Sequence, residues 1–429
     1  MKKLISMLLC LSILWGFSVT PASFAAEKSN DYPLVFLHGF AGWGRDELAG
    51  LKYWGGVIDL QQELRNAGYE AYTAVVGPFS SNWDRACEFY AYVKGGTVDY
   101  GLAHSEKFGH ERFGKTFPGL YPEWGENNNS INKIHIVAHS MGAPTARLLV
   151  QLLEEGYEEE IFAVLGDNPS QEDINAAIAS NTLSPLFTGT CNDWVASVSS
   201  FAGANDGTTL ADFANSSTGD LVTFFATPLG GITGLADISL YDLKLDHWGL
   251  KRKPGESFCN YFDRVMGSPL WKTTKDFSNY DLSTKGAKEM NSWVEDQPNV
   301  YYFSYSCQAT LKLLITDYHV PNLLYMNPAF NTTGTIMGSY KNTSAGINSS
   351  WYANDGVVNT ISQSGPKLGR STNNIIPYNE ASPQKGKWNH LGINKASDHG
   401  DIIGIDFTRP ASNMRAYYLD YAKMLTDLE

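Results

Sequence analysis

The stretch IHIVAHSMG, residues 134–142, is an apolar strand pattern that runs directly into a turn carrying Ser140. A helical pattern, APTARLLV, follows at once over residues 143–150. A strand, a tight turn that presents a serine and a helix together make up a nucleophile elbow. Because such a turn is strained, its neighbours must be small, and Ala138 and Gly142 meet that requirement. The alternative is a chance small-x-Ser-x-Gly sequence, which the flanking strand and helix disfavour.

Apolar runs elsewhere in the chain alternate between strand and helix patterns. Strands are predicted at residues 32–37, 71–76, 134–138, 195–202 and 300–306, and a further short apolar piece lies at 402–405. Helices are predicted at residues 57–67, 82–93 and 416–428. Strands separated by helices indicate an α/β protein with a mostly parallel sheet and helices on both faces. Three segments interrupt this rhythm, at residues 95–125, 206–240 and 331–348.

Residues 1–25 are predicted to be a secretory signal peptide. Two lysines precede an apolar run over residues 4–19, and a small-x-small cleavage site follows. The alternative, an uncleaved anchor helix, is disfavoured because the run is short and Pro21 breaks it. We therefore expect a secreted, soluble chain over residues 26–429, with no transmembrane segment.

Charge and cysteine content restrict the class of protein. The chain has 429 residues and a formal net charge of −13, which argues against nucleic acid and anionic membranes as partners and fits divalent cations and neutral substrates. Its length fits one large domain with insertions or two domains. Four cysteines outside the signal are too few for a disulfide scaffold, so buried free thiols are expected at Cys87, Cys191, Cys259 and Cys307.

A serine nucleophile requires a base, and the base requires a carboxylate that orients it. On the fold predicted here these groups follow one another as serine, acid, histidine. The best acid is Asp355 in WYANDGVV, and the best base is His399 in ASDHG. His247 and His390 are competing bases, and each of these side chains could instead be a solvated loop residue.

An oxyanion needs two N–H donors. One is expected from Met141, the residue after the nucleophile, where the helix N-terminus also contributes its positive dipole end. The second is expected from the loop HGFAGWG at residues 38–44, which follows the first strand, with the Phe40 amide as our choice. The alternative is a plain glycine-rich turn.

Two further groups of residues indicate metal sites. His104 and His110, with Asp84 upstream, could form a tetrahedral Zn²⁺ site, although histidines in a loop are commonly just polar surface. Asp401 and Asp406 follow His399 closely, and their hard oxygen ligands would suit Ca²⁺ unless they are solvated loop acids.

Long motifs over nearly the whole chain beyond the signal identify a resemblance to a known family. They read LHGFAGWGRDE, KYWGG, VGPFSSNWDRACE, GGTVDYG, FGKTFPGL, AHSMG, KLDHWGL, PGESF, NDGVVNT and DH. The chain resembles the thermoalkalophilic bacterial lipases, the secreted Gram-positive group I.5, to which the staphylococcal lipases are related. In that group alanine also replaces the first glycine of the elbow, as Ala138 does here.

The resemblance implies a triacylglycerol lipase of α/β-hydrolase fold that acts on lipid esters at a lipid–water interface, as a monomer or weak oligomer. It implies the triad Ser140, Asp355 and His399 and an oxyanion hole from Phe40 and Met141. It implies a zinc subdomain built from insertions at about 82–125 and 242–290, and a helical lid at 206–246. The implied zinc ligands are Asp84, His104, His110 and Asp276, and the implied calcium ligands are Asp401, Asp406 and the carbonyls of Tyr325 and Phe407.

Several positions depart from the family pattern. Met141 replaces the usual glutamine, which leaves the backbone N–H in place. Gly400 and Asp401 replace a Leu-Glu pair, and the shorter acid weakens the expected calcium site. Phe407 replaces a proline, and one residue is inserted before Asp276. The open alternatives are a phospholipase or short-chain carboxylesterase with the same triad, and a non-catalytic protein on a hydrolase scaffold.

Overall fold

The computed structural model describes residues 28–48, 50–127, 130–216, 241–405 and 411–429. Within these ranges there are eleven strands, numbered in chain order: β1 Leu34–Leu37, β2 Ala71–Ala74, β3 Gly96–Asp99, β4 Phe113–Phe117, β5 Ile134–His139, β6 Val195–Phe201, β7 Tyr301–Cys307, β8 Thr310–Lys312, β9 His319–Pro321, β10 Ile375–Pro377 and β11 Trp388–Asn394. Seven of them form one sheet in the order β10-β11-β7-β6-β5-β1-β2. Every neighbouring pair in it is parallel, whereas β3-β4 and β8-β9 are separate antiparallel pairs.

Helices lie between these strands. In the described ranges they are α1 Leu60–Asn66, α2 Asn82–Lys94, α3 Leu102–Phe108, α4 Gly142–Glu155, α5 Glu158–Leu165, α6 Gln171–Ala179, α7 Thr209–Ser216, α8 Phe258–Met266, α9 Leu270–Thr273, α10 Ser278–Asp281, α11 Thr284–Asn291, α12 Asn331–Met337, α13 Thr360–Gln363 and α14 Ala411–Thr426. Short 3₁₀ helices occur at Pro185–Phe187, Asp246–Trp248, Pro328–Phe330, Thr343–Ala345, Ser349–Trp351 and Asp401–Ile403.

The sheet separates two hydrophobic cores. Successive side chains of a strand point to opposite faces, and β1 shows this clearly. Leu34 and Phe36 pack in the core on one face, with α1 and α14. Val35 and Leu37 pack in the core on the other face, with α2 and α4. Burial on both faces explains why the strands read as continuous apolar runs, and it confirms the predicted α/β architecture.

The observed elements differ from the sequence-based ones in places. The helix predicted at residues 57–67 begins only at Leu60, because the Asp59 side chain accepts a hydrogen bond from the Gln62 N–H at 3.1 Å and caps it. Strands β3, β4, β8, β9, β10 and β11 were not predicted. The predicted apolar piece at 402–405 is largely a 3₁₀ turn.

The structure contradicts the expectation for one cysteine and leaves the predicted signal peptide and most of the predicted lid undescribed. Cys259 is exposed, which contradicts the expectation of four buried thiols, while Cys87, Cys191 and Cys307 are buried and free. Cys259 belongs to α8, which turns a polar face outward. The predicted signal peptide lies outside the described residues, and so does 217–240, most of the predicted lid. No described helix has the length and apolar character needed to cross a bilayer.

Burial lowers the pKa values of three histidines in this fold. His135 on β5 is fully buried, and desolvation lowers its pKa to about 3. Its Nε2–H donates to Asn30 Oδ1 at 3.0 Å and its Nδ1 accepts from Ser197 Oγ at 2.8 Å, so both nitrogens are satisfied in the neutral ring. Desolvation also lowers the pKa values of His38 and His139.

We expect the free energy of unfolding to fall as the pH drops below about 6.5, the pKa of an unfolded histidine. The unfolded chain binds protons there, whereas the folded rings stay neutral until their lowered pKa values are reached. A buried histidine such as His135 would remove about 2 kcal/mol at pH 5. Urea unfolding between pH 7 and pH 5 measures this slope, and His135→Gln should reduce it. An equally steep slope in that variant would contradict the assignment.

Candidate active site and metal cluster

Ser140 lies at the turn between β5 and α4, with its backbone at φ 57°. This left-handed conformation is rare for a residue with a side chain and is maintained by its surroundings. The Ser140 N–H donates to Phe201 O of the neighbouring strand at 3.0 Å. A Cβ on Gly142 would lie 2.7 Å from Leu37 O. The close approach of two backbone segments therefore explains the small residue that the sequence pattern required.

The structure brings Ser140, His399 and Asp355 together, although they are far apart in the chain. His399 Nε2 lies 2.9 Å from Ser140 Oγ, and His399 Nδ1 lies 2.8 Å from Asp355 Oδ2. With a proton on Nδ1, which an ionised carboxylate requires as its donor, Nε2 is left free to accept the serine proton. All three residues are buried.

The Asp355 carboxylate is held by several donors. Its Oδ1 accepts from the backbone N–H groups of Val357 at 2.9 Å and Val358 at 2.7 Å. Its Oδ2 accepts from Gln363 Nε2 at 3.0 Å, in addition to His399. Gly356 makes the turn with φ 97°. These donors fix the position of the carboxylate that contacts the imidazole of His399.

Asp398 fixes the loop that carries His399. Its Oδ1 accepts from the N–H groups of Gly400 at 2.9 Å and Asp401 at 3.1 Å, and its Oδ2 accepts from Asn327 N–H at 2.7 Å. Burial raises the pKa of Asp398 to about 6 despite these hydrogen bonds. The His399 N–H also donates to Asp355 O at 3.1 Å. The imidazole therefore projects from a loop with little freedom.

The glycine-rich loop at 38–44 lies directly against the serine. A Cβ on Gly39 would lie 2.6 Å from Ser140 Cβ and 3.1 Å from Ser140 Oγ, so only glycine allows this approach. Phe40 is the next residue, and its ring packs edge-on against Phe79. Met141 follows the serine in the chain and lies at the N-terminus of α4. Both amides chosen for the oxyanion hole thus belong to residues adjacent to this contact.

Three residues that the sequence analysis did not single out support the loop. Fully buried Arg85 donates from Nη2 to His38 O at 2.5 Å and from Nη1 to Gly77 O at 2.7 Å. Tyr53 OH accepts from Gly39 N–H at 2.9 Å and lies 2.6 Å from His139 Nδ1. His139 Nε2 donates to His399 O at 3.0 Å. The only sequence signal for them was an arginine within an apolar helix pattern and a histidine beside the nucleophile.

The two competing histidines are placed elsewhere. His247 Nε2 lies 2.9 Å from Oδ2 of Asp84, and Asp84 is a member of the metal cluster described next. His390 is on β11, where its Nδ1 lies 3.1 Å from Ser304 Oγ. Neither hydrogen-bond set includes Ser140. Of the three candidate histidines, His399 is the one that the structure places beside Ser140.

Asp84, His104, His110 and Asp276 form a cluster that could hold a metal ion. One ligand atom from each lies within 4.8 Å of the others. Asp84 is near the start of α2, His104 is on α3, and the other two are in loops. Asp276, which follows the residue inserted in this chain relative to the family pattern, belongs to the group with the other three.

Two atoms of this cluster have no hydrogen-bond partner although they are buried, Asp84 Oδ1 and His110 Nε2. Unsatisfied buried polar atoms are rare and call for an explanation such as a bound ion. His110 Nδ1 donates to Glu111 O at 2.9 Å, which leaves the Nε2 lone pair directed at the cluster. Two imidazoles and two carboxylates are a donor set that suits Zn²⁺. The residues therefore fit a metal ion.

The residues expected to bind calcium are only partly described. Asp406 and Phe407 lie outside the described residues. Asp401 Oδ2 accepts from Asp398 N–H at 2.8 Å. Tyr325 lies two residues before Asn327, whose N–H donates to the carboxylate of Asp398. The calcium site stays a prediction.

Residues 30–429 match the family described as "Lipase-like, C-terminal domain". The chain is similar to a lipase of Staphylococcus epidermidis, with 36% identity over 386 residues, or 89% of this chain and 51% of that protein. It spans about half the length of the curated relatives that it matches.

Two solved structures are similar over nearly their whole length. EstA from Clostridium botulinum shares 48% identity with a TM-score of 0.83, covering 94% of this chain and 88% of that one. Lipase 1 from Pelosinus fermentans shares 48% identity with a TM-score of 0.80, covering 93% of this chain and 100% of that one. The chain belongs to the lipase-like family, which confirms the resemblance inferred from the motifs.

Proposed function

We propose that this chain is a secreted triacylglycerol lipase that hydrolyses carboxylic esters through an acyl-enzyme on Ser140. The observation that carries the proposal is the hydrogen-bond chain from Ser140 Oγ through His399 to Asp355. A serine placed this way, at a strained turn before a helix and beside a histidine, can be deprotonated during attack on a carbonyl.

In the proposed mechanism, His399 Nε2 takes the Ser140 proton as Oγ attacks the acyl carbon. Asp355 holds the imidazole tautomer and stabilises the imidazolium that forms. The amides of Phe40 and Met141 donate to the oxyanion. His399 then protonates the leaving alcohol, and water repeats the sequence on the acyl-enzyme.

The metal at the Asp84 cluster is proposed to be Zn²⁺ with a structural role. Four protein ligands fill a tetrahedral shell and leave no position for a reacting water. Asp84, His104, His110 and Asp276 would then pin the segment that carries α3 and β4 to α2 and to the loop before α10. Asp401, Asp406 and the carbonyls of Tyr325 and Phe407 are proposed to hold Ca²⁺ near the His399 loop.

A fluorophosphonate should label one serine, and peptide mapping should place the label on Ser140. Phosphonylation requires an activated serine, so Ser140→Ala should remove labelling and His399→Ala should slow it strongly. A label on another residue, or undiminished labelling of the Ser140→Ala variant, would overturn the assignment.

Rates on tributyrin, a long-chain triglyceride emulsion and phosphatidylcholine distinguish the proposed lipase from the two alternatives with the same triad. The proposal expects hydrolysis of the long-chain emulsion. Hydrolysis of tributyrin alone would indicate a short-chain carboxylesterase, and preference for phosphatidylcholine a phospholipase. No hydrolysis of any ester would indicate a non-catalytic protein.

A further inference from the structure

Exposed apolar side chains are concentrated in one part of this molecule. Of the twelve large hydrophobic side chains that are exposed among the described residues, eight lie between positions 311 and 325. We call residues 310–325 the apolar hairpin, because β8 and β9 pair within it. Leu314 and Ile315 at its tip are 102% and 97% exposed, and Leu323 and Leu324 beyond β9 are 76% and 83% exposed. A cluster of this kind marks an interaction surface.

The apolar hairpin emerges from the same edge of the sheet as the proposed active site. It follows the carboxyl end of β7, and ligands of parallel α/β sheets bind outside the carboxyl ends of the strands. At its base, Ala309 N–H donates to Asn354 O at 3.0 Å and Thr310 Oγ1 donates to the same oxygen at 3.1 Å. Asn354 directly precedes Asp355. The hairpin is therefore built onto the segment that holds the acid of the triad.

Other contacts hold the hairpin in place. The Tyr318 ring lies 5.8 Å from the ring of buried Tyr352. After β9, Asn327 N–H donates to Asp398 Oδ2 at 2.7 Å, next to His399. The tip thus projects from a base that is hydrogen-bonded on both sides. Its position relative to the His399 loop is fixed by these contacts.

The charge of the hairpin indicates what it contacts. Between residues 300 and 340 the charged side chains are Lys312 and Asp317, and they form an ion pair of 2.7 Å that neutralises both. The whole chain carries −13, which opposes an anionic membrane. A neutral apolar tip on an acidic protein fits an uncharged lipid phase.

The shape of the tip points to the same partner. Side chains with nearly complete exposure stand on a convex protrusion, which a protein partner could bury only with a matching pocket. A fluid lipid phase closes around such a protrusion, as it does around interfacial apolar side chains elsewhere. We propose that the apolar hairpin inserts into the surface of neutral ester lipid and holds the active site there. This inference rests on the proposed lipase function.

Flotation with triolein droplets coated with phosphatidylcholine tests the proposal. All proteins carry Ser140→Ala, so that hydrolysis does not alter the droplets. The test variant adds Leu314→Ser and Ile315→Ser, and the matched control adds Phe113→Ser and Phe162→Ser, which remove two exposed apolar side chains outside the hairpin. Because both substitutions remove apolar surface that would be buried in the lipid, we expect the test variant to lose at least about 10-fold in the ratio of bound to free protein. The control should stay within about 2-fold.

With Ser140 restored, the hairpin variant should lose activity on the emulsion and keep its kcat/KM on a water-soluble ester. Equal flotation of the hairpin variant and its parent would overturn the proposal. Size-exclusion chromatography covers the alternative partner: a dimer that dissociates in the hairpin variant would show that a second copy occupies the surface, and would also overturn it. If the hairpin variant unfolds, the pair Leu323→Ser and Leu324→Ser tests the same surface.

The proposed esterase activity is tested by a measurement that is independent of the flotation experiment. A parent protein that does not hydrolyse the water-soluble ester would contradict the esterase, whereas the flotation result concerns only the hairpin.

Discussion

Replacing His399 by alanine should lower kcat/KM for ester hydrolysis on the order of 10⁴-fold or more. The reason is geometric, since His399 is the histidine within 2.9 Å of Ser140 Oγ and it also contacts Asp355. Without it the serine hydroxyl has no base, and the residual rate comes from binding and the oxyanion donors. Initial rates on a soluble ester at pH 8 measure the loss, and the melting temperature checks that the variant is folded.

His390→Asn is the matched control for this prediction. His390 also follows Asp355 in the chain and was an open alternative, but its Nδ1 faces Ser304 on β7. We expect its kcat/KM to stay within a few-fold of the parent. The double variant that combines Ser140→Ala with His399→Ala should be no slower than either single one, because the two groups act as a unit. A His390 variant that is inactive while the His399 variant is active would reverse the assignment.

The turn that carries Ser140 could be predicted from the sequence because the residues that produce it are neighbours in the chain. The strained conformation of Ser140 needs a strand, a helix and small neighbours within a few residues, all of which appear in residues 134–150. The pairing of His399 with Ser140 spans 259 positions. It was inferred from chain order and family motifs, because no spacing rule brings such residues together.

The elements that were missed depend on contacts between distant segments. Strand β10 has three residues and ends in Pro377, and β11 contains Gly392, so neither shows a strong strand pattern. Each becomes a strand because β7 and β11 provide parallel neighbours. Arg85 and Tyr53 likewise bind the backbone of the 38–44 loop, and nothing near them in the chain indicates this. His247 was an open alternative for the base because the sequence does not show that its carboxylate partner is Asp84, which lies 163 positions away.

Removing the metal proposed at the Asp84 cluster should lower the melting temperature by about 5 °C. A ligand present at about 1,000 times its dissociation constant stabilises the folded state by about 4 kcal/mol, and each kcal/mol corresponds to roughly 1 °C in a domain of about 400 residues, because the entropy of unfolding grows with chain length. Dialysis against dipicolinate followed by calorimetry measures the change. Re-addition of Zn²⁺ should restore the parent value, and Mg²⁺ should not, because it prefers an octahedral oxygen shell.

His110→Ala gives the same test without a chelator. Its Nε2 has no hydrogen-bond partner in the structure, so a truncation there removes a metal ligand, together with the Nδ1 hydrogen bond to Glu111 O and the 3.3 Å contact of Nε2 with Asp276 Oδ2. Elemental analysis should find stoichiometric zinc in the parent and a large loss in the variant. Asp84 and Asp276 then lack a neutralising cation in a buried site, which adds a cost of its own. The control His319→Asn changes a histidine outside the cluster and should keep its zinc and its melting temperature. Zinc retained at the parent level in His110→Ala, with an unchanged melting temperature after chelation, would show that these four side chains form an ion-pair network instead.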